Sequence, residues 1–316
     1  MLTRKTAIRI AVETVAGTDP AVASFSEILA WDVELDVRGE RLDRSIMRDT
    51  LSPIGPAIGL KDHGLTFKTE LKAAGPGTVP EMHEMLVGCG FGTAAHSGTA
   101  PIVYTLKSEE ADLKSVSMLV YKDGNMHKIT GSRGTVRFVM EAGQFGICEW
   151  DFNGLYNAVV AITHPDLSGI DTTKPPIIHA SEFQIAGFSP VCNSLTIDLA
   201  NTLARRDDLN TVNGVKEYRI TGRAPKMEFN ADAVVEASNP FWGDWAGEIV
   251  DTFGIVVGST AGHGQEVILT GFFQYDSNKY GDADGVSQYE AVASLISSDP
   301  NTQNDELQIQ FSKDAV

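Results

Sequence analysis

Apolar residues recur at every second position in several stretches of this chain, the mark of strands with one buried face. Trp31, Val33, Leu35 and Val37 alternate with Asp32, Glu34 and Asp36, which predicts a strand with an acidic outer face. Val136, Phe138 and Met140 alternate with Thr135, Arg137 and Glu141. After Ala142-Gly143-Gln144 the pattern resumes, with Cys148, Trp150 and Phe152 against Glu149 and Asp151. The two runs predict a hairpin with one wet face. Shorter strands are expected over residues 7–15, 65–71, 102–106 and 115–121, the last ending at the turn pair Asp123-Gly124. Pro80 at a first helical position, followed by Met82, Met85 and Leu86, predicts a short helix ending by Gly88. Residues 39–64 and 200–224 keep no period and read as long irregular loops, a kind of segment that is usually functional.

The second half retells the first. Leu195, Ile197 and Leu199 repeat Val33, Leu35 and Val37 at an offset of 162 (195 minus 33), and Arg206-Asp207 repeats Arg48-Asp49 at 158. Met227, Phe229 and Ala231 alternate as Phe67, Thr69 and Leu71 do, and Ser238-Asn239-Pro240 opens a helix as Thr78-Val79-Pro80 does. Paired strand signals over 267–275 and 286–295 close the half, as the first hairpin closes its own. The expected architecture is mainly β with a minor α+β character. It comprises two tandem antiparallel β domains, 1–160 and 181–316, joined by a linker over 161–180 that carries Pro165, Pro175 and Pro176. A length of 316 residues suits two cores.

Charge narrows the function. Acidic residues exceed basic ones by 42 to 25, a net charge of −17, with no basic cluster longer than Arg205-Arg206. Such a chain does not hold nucleic acid tightly, and it disfavours anionic membranes. No apolar run is long enough to span a bilayer, and the N-terminal residues lack a signal-peptide core, so synthesis and assembly in a cytoplasm are expected. Cys89, Cys148 and Cys192 are scattered in apolar contexts and read as free thiols.

Catalytic patterns are searched for and fail. His83-Glu84 lacks a second histidine four residues on, where Val87 stands, and reads as a solvated helix face. Gly88-Cys89-Gly90-Phe91-Gly92 follows a helix instead of leading into one and reads as a flexible linker. Asp276, Asn278, Gly281 and Asp282 match EF-hand positions one, three, six and seven, yet position twelve is Ser287. A polar turn between strands is the better reading there. His164, His179 and His263 have no partner at ligand spacing. No cofactor, catalytic residue or metal site is assigned.

Six segments carry a resemblance: Gly17-Thr18-Asp19-Pro20, Arg48 to Pro53 (RDTLSP), Ile129 to Gly134 (ITGSRG), Phe152 to Asn157 (FNGLYN), Tyr280 to Gly285 (YGDADG) and Asn304 to Leu307 (NDEL). Their order and spacing resemble the major tail-tube proteins of long-tailed bacteriophages. The resemblance implies a structural virion protein, made in the host cytoplasm, whose sandwiches each carry a short flanking helix and a long stacking loop. It implies self-assembly into stacked rings forming a hollow tube through which DNA passes. Partners would be further copies of itself and the tape-measure, tail-terminator and tail-tip proteins. With two tube domains per chain, three chains would make a ring of pseudo-sixfold symmetry; one tube domain plus an appendage would need six. Asp32, Glu34, Asp36, Glu149 and Asp151 are the candidate lumen-facing acids, and Arg48, Asp49, Arg206 and Asp207 the candidate inter-ring loop residues. The rival readings are a metal-dependent soluble α+β hydrolase using Asp276, Asp282 and Asp284, and another virion structural protein of sheath or decoration type.

Overall fold

In the computed structural model, which describes residues 2, 5–21, 24–74, 78–93, 101–167, 169–179, 181–258 and 266–312, the alternating stretches become antiparallel strands joined edge to edge. The first half holds β1 (Thr6–Val12), β2 (Ser26–Ile28), β3 (Trp31–Leu42), β4 (Ala57–Glu70), α1 (His83–Gly88), β5 (Phe91–Thr93), β6 (Ile102–Leu106), β7 (Val116–Lys122), β8 (Asn125–Glu141), β9 (Ile147–Tyr156) and β10 (Val160–Ala161). The second holds β11 (Gln184–Ile185), β12 (Cys192–Asp198), β13 (Asn201–Asp207), β14 (Val215–Arg223), β15 (Lys226–Asp232), α2 (Phe241–Ala246), β16 (Asp251–Val257), β17 (Glu266–Ala283), β18 (Val286–Leu295) and β19 (Gln308–Ser312). The protein is mainly β and antiparallel, as the alternation requires.

Eight strands form one principal sheet in the order β3-β4-β9-β8-β12-β15-β18-β17. One face is apolar: Leu65, Phe67, Val136, Phe138, Trp150 and Phe152 are buried in the first half, and Leu195, Ile197, Met227 and Phe229 in the second. Each such side chain contributes about 1.5–3 kcal/mol by leaving water. The long strands β8 and β17 each pass from this sheet into a second layer. There β8 pairs β7, with β1 and β2 beyond, and β17 lies between β16 and β19, with β11 beyond one and β6 and β5 beyond the other. The layers close over one continuous apolar cluster fed by both halves. Strand β7 is buried on both faces because Leu119 and Tyr121 point into a smaller cluster behind it, with Ala7 and Met126.

The pairing pattern occurs twice. Strands β3, β4, β9 and β8 connect as β12, β15, β18 and β17 do, and a short helix follows the second strand of each set. Register equates Phe229 with Phe67, since Leu35 faces Leu65 as Ile197 faces Met227, an offset of 162 on both strands; the alternation alone had matched Met227 to Phe67. The sets meet at β8 and β12 inside the chain.

Glycines mark the place where β8 changes sheets. Its register on β9 shifts between Thr130 and Arg133, at Gly131 with φ +60. A Cβ at Gly134 would lie 2.5 Å from the Asp151 carbonyl oxygen, and one at Gly154 2.3 Å from Ser132 Oγ, so the strands approach too closely for any side chain. The buried Glu13 carboxylate binds the same corner, accepting from Ser115 Oγ (2.6 Å), Ser117 Oγ (2.5 Å), Gly17 N (2.7 Å) and Gly131 N (2.8 Å). Four donors satisfy a charge that burial would otherwise expel.

Several expectations are corrected. Residues 39–64 are no loop: β3 and β4 pair outward as far as Leu42 and Ala57, leaving only 43–56 irregular. Residues 200–224 are the hairpin β13–β14, so Arg206 and Asp207 sit in a strand. Neither segment alternates because neither lays a single face on the core. The run from Asp276 continues β17 to Ala283, and the turn is only Asp284-Gly285, both at positive φ. Gly88, Cys89, Gly90 and Phe91 are buried, and a Cβ on Gly88 would meet the Phe152 ring at 2.9 Å, so this is packed backbone and no flexible linker. His83 and Glu84 are half-buried, bonded to Tyr104 (2.8 Å) and Ser26 (2.7 Å). His263 lies outside the described residues.

Candidate functional site: an acidic sheet face and two sheet edges

The polar face of the principal sheet gathers the candidate acids. Period two puts Glu34 and Asp36 on this face of β3 and Glu149 and Asp151 on this face of β9, and pairing with β4 sets Glu34 and Asp151 on either side of Thr66, Glu149 beside Lys68 and Asp36 beside Gly64. Lys68 Nζ lies 3.1 Å from Glu149 and 3.7 Å from Asp32, and its ammonium is held above the usual lysine range, chiefly by the Glu149 hydrogen bond. Asp32, Glu34, Glu149, Asp151 and Asp198 line one shallow concavity. Desolvation there raises the Asp151 carboxyl above its ordinary range, while Arg38 pulls the other way. Alternation also puts Glu228 and Glu290 on this face, so carboxylates outnumber Lys68, Arg137, Lys226 and Lys279. Asp198, Glu228 and Glu290 were absent from the predicted set, although the same alternation that found Asp32 would have found them.

Each end of the sheet is a strand whose outer edge has no strand partner among the described residues: β3 at one end and the last part of β17 at the other. On that part of β17, Tyr280 is 62% exposed, its ring 5.2 Å from Tyr289 and 5.4 Å from Trp242. Lys279 is paired with Glu290 on the adjacent β18, at 2.5 Å.

The predicted loop residues separate into two environments. Arg48 and Asp49 lie in the exposed tip 43–56, where Met47 and Leu51 are fully open. Arg206 is ion-paired to Glu217 across the hairpin (2.5 Å), and Asp207 to Arg205 (3.0 Å). This hairpin folds back on the first half through a cluster that the alternation gave no hint of. Asp62 of β4, 4% exposed, accepts from Tyr218 Oη (2.6 Å) and pairs with Arg38 Nε (2.7 Å) and Arg205 Nη1 (3.2 Å). Beside it His63 is fully buried, stacked on Tyr156 at 5.1 Å; burial, helped by His127, pushes its imidazole down to about 4. Burial and the Asp62 bond raise the Tyr218 phenol.

No divalent-cation centre assembles at the rival site. Asp276 and Asp282 are six residues apart on one extended strand, roughly 20 Å at about 3.3 Å per residue, and Asp276 is engaged by Ser294 Oγ at 2.8 and 2.9 Å. Among the described residues no three His, Cys, Asp or Glu side chains converge as metal ligands. Cys89 and Cys148 are buried thiols, both pushed up by desolvation, and Cys192 is half-buried and raised to about 11.

The described fold is a β-sandwich with a charged sheet face and two strand edges that lack a strand partner among the described residues. Residues 3–294 match the family model described as phage tail tube protein, and the chain belongs to that family. It is therefore a structural protein of the bacteriophage tail tube, a component of the virion tail. No curated protein matches it in sequence. Among the described residues no helix is long and apolar enough to cross a membrane.

Proposed function

We propose that three copies of this chain close into a ring, that rings stack into a tube, and that DNA passes along the acidic sheet face. One observation carries the reading: the principal sheet has eight strands and ends in two open edges. With an even number of antiparallel strands, β3 and β17 run in opposite directions. Identical copies related by rotation then meet antiparallel, a head-to-tail contact that closes without leaving an edge. The twice-occurring strand pattern supports reading the halves as duplicated tube domains, so three chains supply six.

Size decides between three copies and six. Three times eight strands at about 4.8 Å spacing, tilted up to about 40°, give a backbone circumference of roughly 115–150 Å and a diameter of roughly 37–48 Å. Subtracting about 10 Å for side chains leaves a bore of roughly 27–38 Å, enough for one DNA duplex. Six copies would double the circumference and leave most of the bore empty. Carboxylates on the lining repel phosphate, whereas a basic lining would retain DNA by counterion release. A tape-measure protein inside, and terminator and tip proteins at the ends, are the expected partners; assembly would take place in the host cytoplasm. The exposed tip 43–56, with Arg48 and Asp49, would reach an adjacent ring; its exposure supports that role.

Negative-stain microscopy of the purified chain, alone and with a tail-tip extract, tests this. Rings or tubes with threefold repeats and a bore near 30 Å are expected; a strictly monomeric protein under both conditions refutes the reading.

A further inference from the structure

The joint between the halves lies within the chain, so its geometry is on view. Along β8 and β12, Phe138 faces Ile197 and Arg137 faces Asp198. The two open edges occupy matching places. Residues 34, 35 and 36 face 66, 65 and 64, while 196, 197 and 198 face 228, 227 and 226, a shift of 162 on both strands. At the other end Arg137 faces Glu149 and Lys279 faces Glu290, while Phe138 faces Cys148 and Tyr280 faces Tyr289. Lys279 and Tyr280 thus stand where Arg137 and Phe138 stand, and Leu35 and Asp36 where Ile197 and Asp198 stand.

We propose that neighbouring copies join in the register of this internal joint, with Asp36 of one copy facing Lys279 of the next and Leu35 facing Tyr280. The inference rests on the ring reading above. Its chemistry matches the template at both positions, a cation opposite a carboxylate and an aliphatic side chain opposite an aromatic one. Burial gives a second, independent indication. Phe138, with β12 paired beside it, is 0% exposed, while Tyr280 at the equivalent position is 62% exposed, an open aromatic ring that a further strand would cover.

The same register extends to the arms. Beyond β12 the chain runs into β13–β14, which lies over the first half, and Asn201 Nδ2 there donates to the carbonyls of Cys89 (2.7 Å), just after α1, and Gly134 (2.9 Å). Beyond its pairing residues β3 runs into the β3–β4 arm, which therefore lies over the next copy just after α2. Exposed apolar groups stand on both surfaces: Leu42 and Ile58 on the arm, Trp245 and Ile249 at the end of α2 and just beyond it.

The test uses the full chain carrying Cys192→Ser with Asp36→Cys and Lys279→Cys, oxidised during assembly. Disulfides between copies at 36–279, and none in a Glu34→Cys, Lys279→Cys control, are expected. Separately, Lys279→Glu should raise the concentration needed for assembly by about fivefold per joint, since like charges then face each other. Asp36→Lys with Lys279→Asp should restore it. Tubes that crosslink at 34–279 but not at 36–279, or that ignore the charge reversal, overturn the register and leave the ring reading standing. Wild-type chain that forms no ring under any condition overturns both.

Discussion

Replacing Asp62 with alanine should loosen the β13–β14 hairpin from the first half. The carboxylate is nearly inaccessible and holds three partners from three elements: Arg38 on β3, Arg205 on β13 and Tyr218 on β14. Truncation leaves a buried phenol and the Arg205 guanidinium without their acceptor and removes the counter-charge of Arg38. A fully buried pair broken in this way costs about 3–5 kcal/mol. Here the arginine side chains are 40% and 37% exposed, so water already screens much of their charge. About 1–3 kcal/mol is the appropriate range, most of it from the short Tyr218 bond and the desolvated site. For 316 residues unfolding as one unit, an unfolding entropy near 0.66 kcal/mol/K converts about 2 kcal/mol into a fall in Tm of about 3 °C. Scanning calorimetry reads that shift, and hydrogen exchange should show the amides of 215–223 losing protection before those of β8. Asp62→Asn, which keeps an acceptor oxygen, should lose less. A Tm within a degree of wild type together with unchanged exchange in β14 would refute the argument.

Three further outcomes are expected. The His63 imidazole is pushed down to about 4 when folded and lies near 6.5 when unfolded, so the unfolded chain binds the extra proton between those values; stability is complete above about pH 6.5 and falls by up to about 3 kcal/mol as pH drops from there to about 4. His63→Phe should flatten that part of the stability–pH curve measured by urea titration. Gly154→Ala places a methyl 2.3 Å from Ser132 Oγ and 2.5 Å from Ile129 Cγ2 and should cost about 1–3 kcal/mol in a denaturant melt, whereas Gly222→Ala, with nothing within 4 Å, should cost under about 0.5. Glu149→Lys with Asp151→Lys should make assembled tubes co-sediment with duplex DNA at low salt and release it as salt rises; wild-type tubes should not retain it.

Alternation alone made the central strands legible. Residues 31–37, 135–141 and 148–152 each lay one face on the core and one in water, so hydrophobicity had to repeat every second position, and the acids fell on the outer face for the same reason. The order of glycine-bearing segments was legible too, because close approaches such as Gly134 and Gly154 admit no other residue. Nothing local, by contrast, distinguishes 39–42 and 57–64 from a loop: the outer part of that arm, 39–42 and 57–58, is exposed and its pairing is between strands separated in sequence. The Asp62 cluster was hidden in the same way, since Arg38, Asp62, Arg205 and Tyr218 meet only when a hairpin from the second half folds over the first. Which strand ends lie open, and that β8 already shows the joint β17 lacks, depends on pairings more than fifty residues apart. Period two fixes a strand's faces; only long-range hydrogen bonding assigns its neighbours.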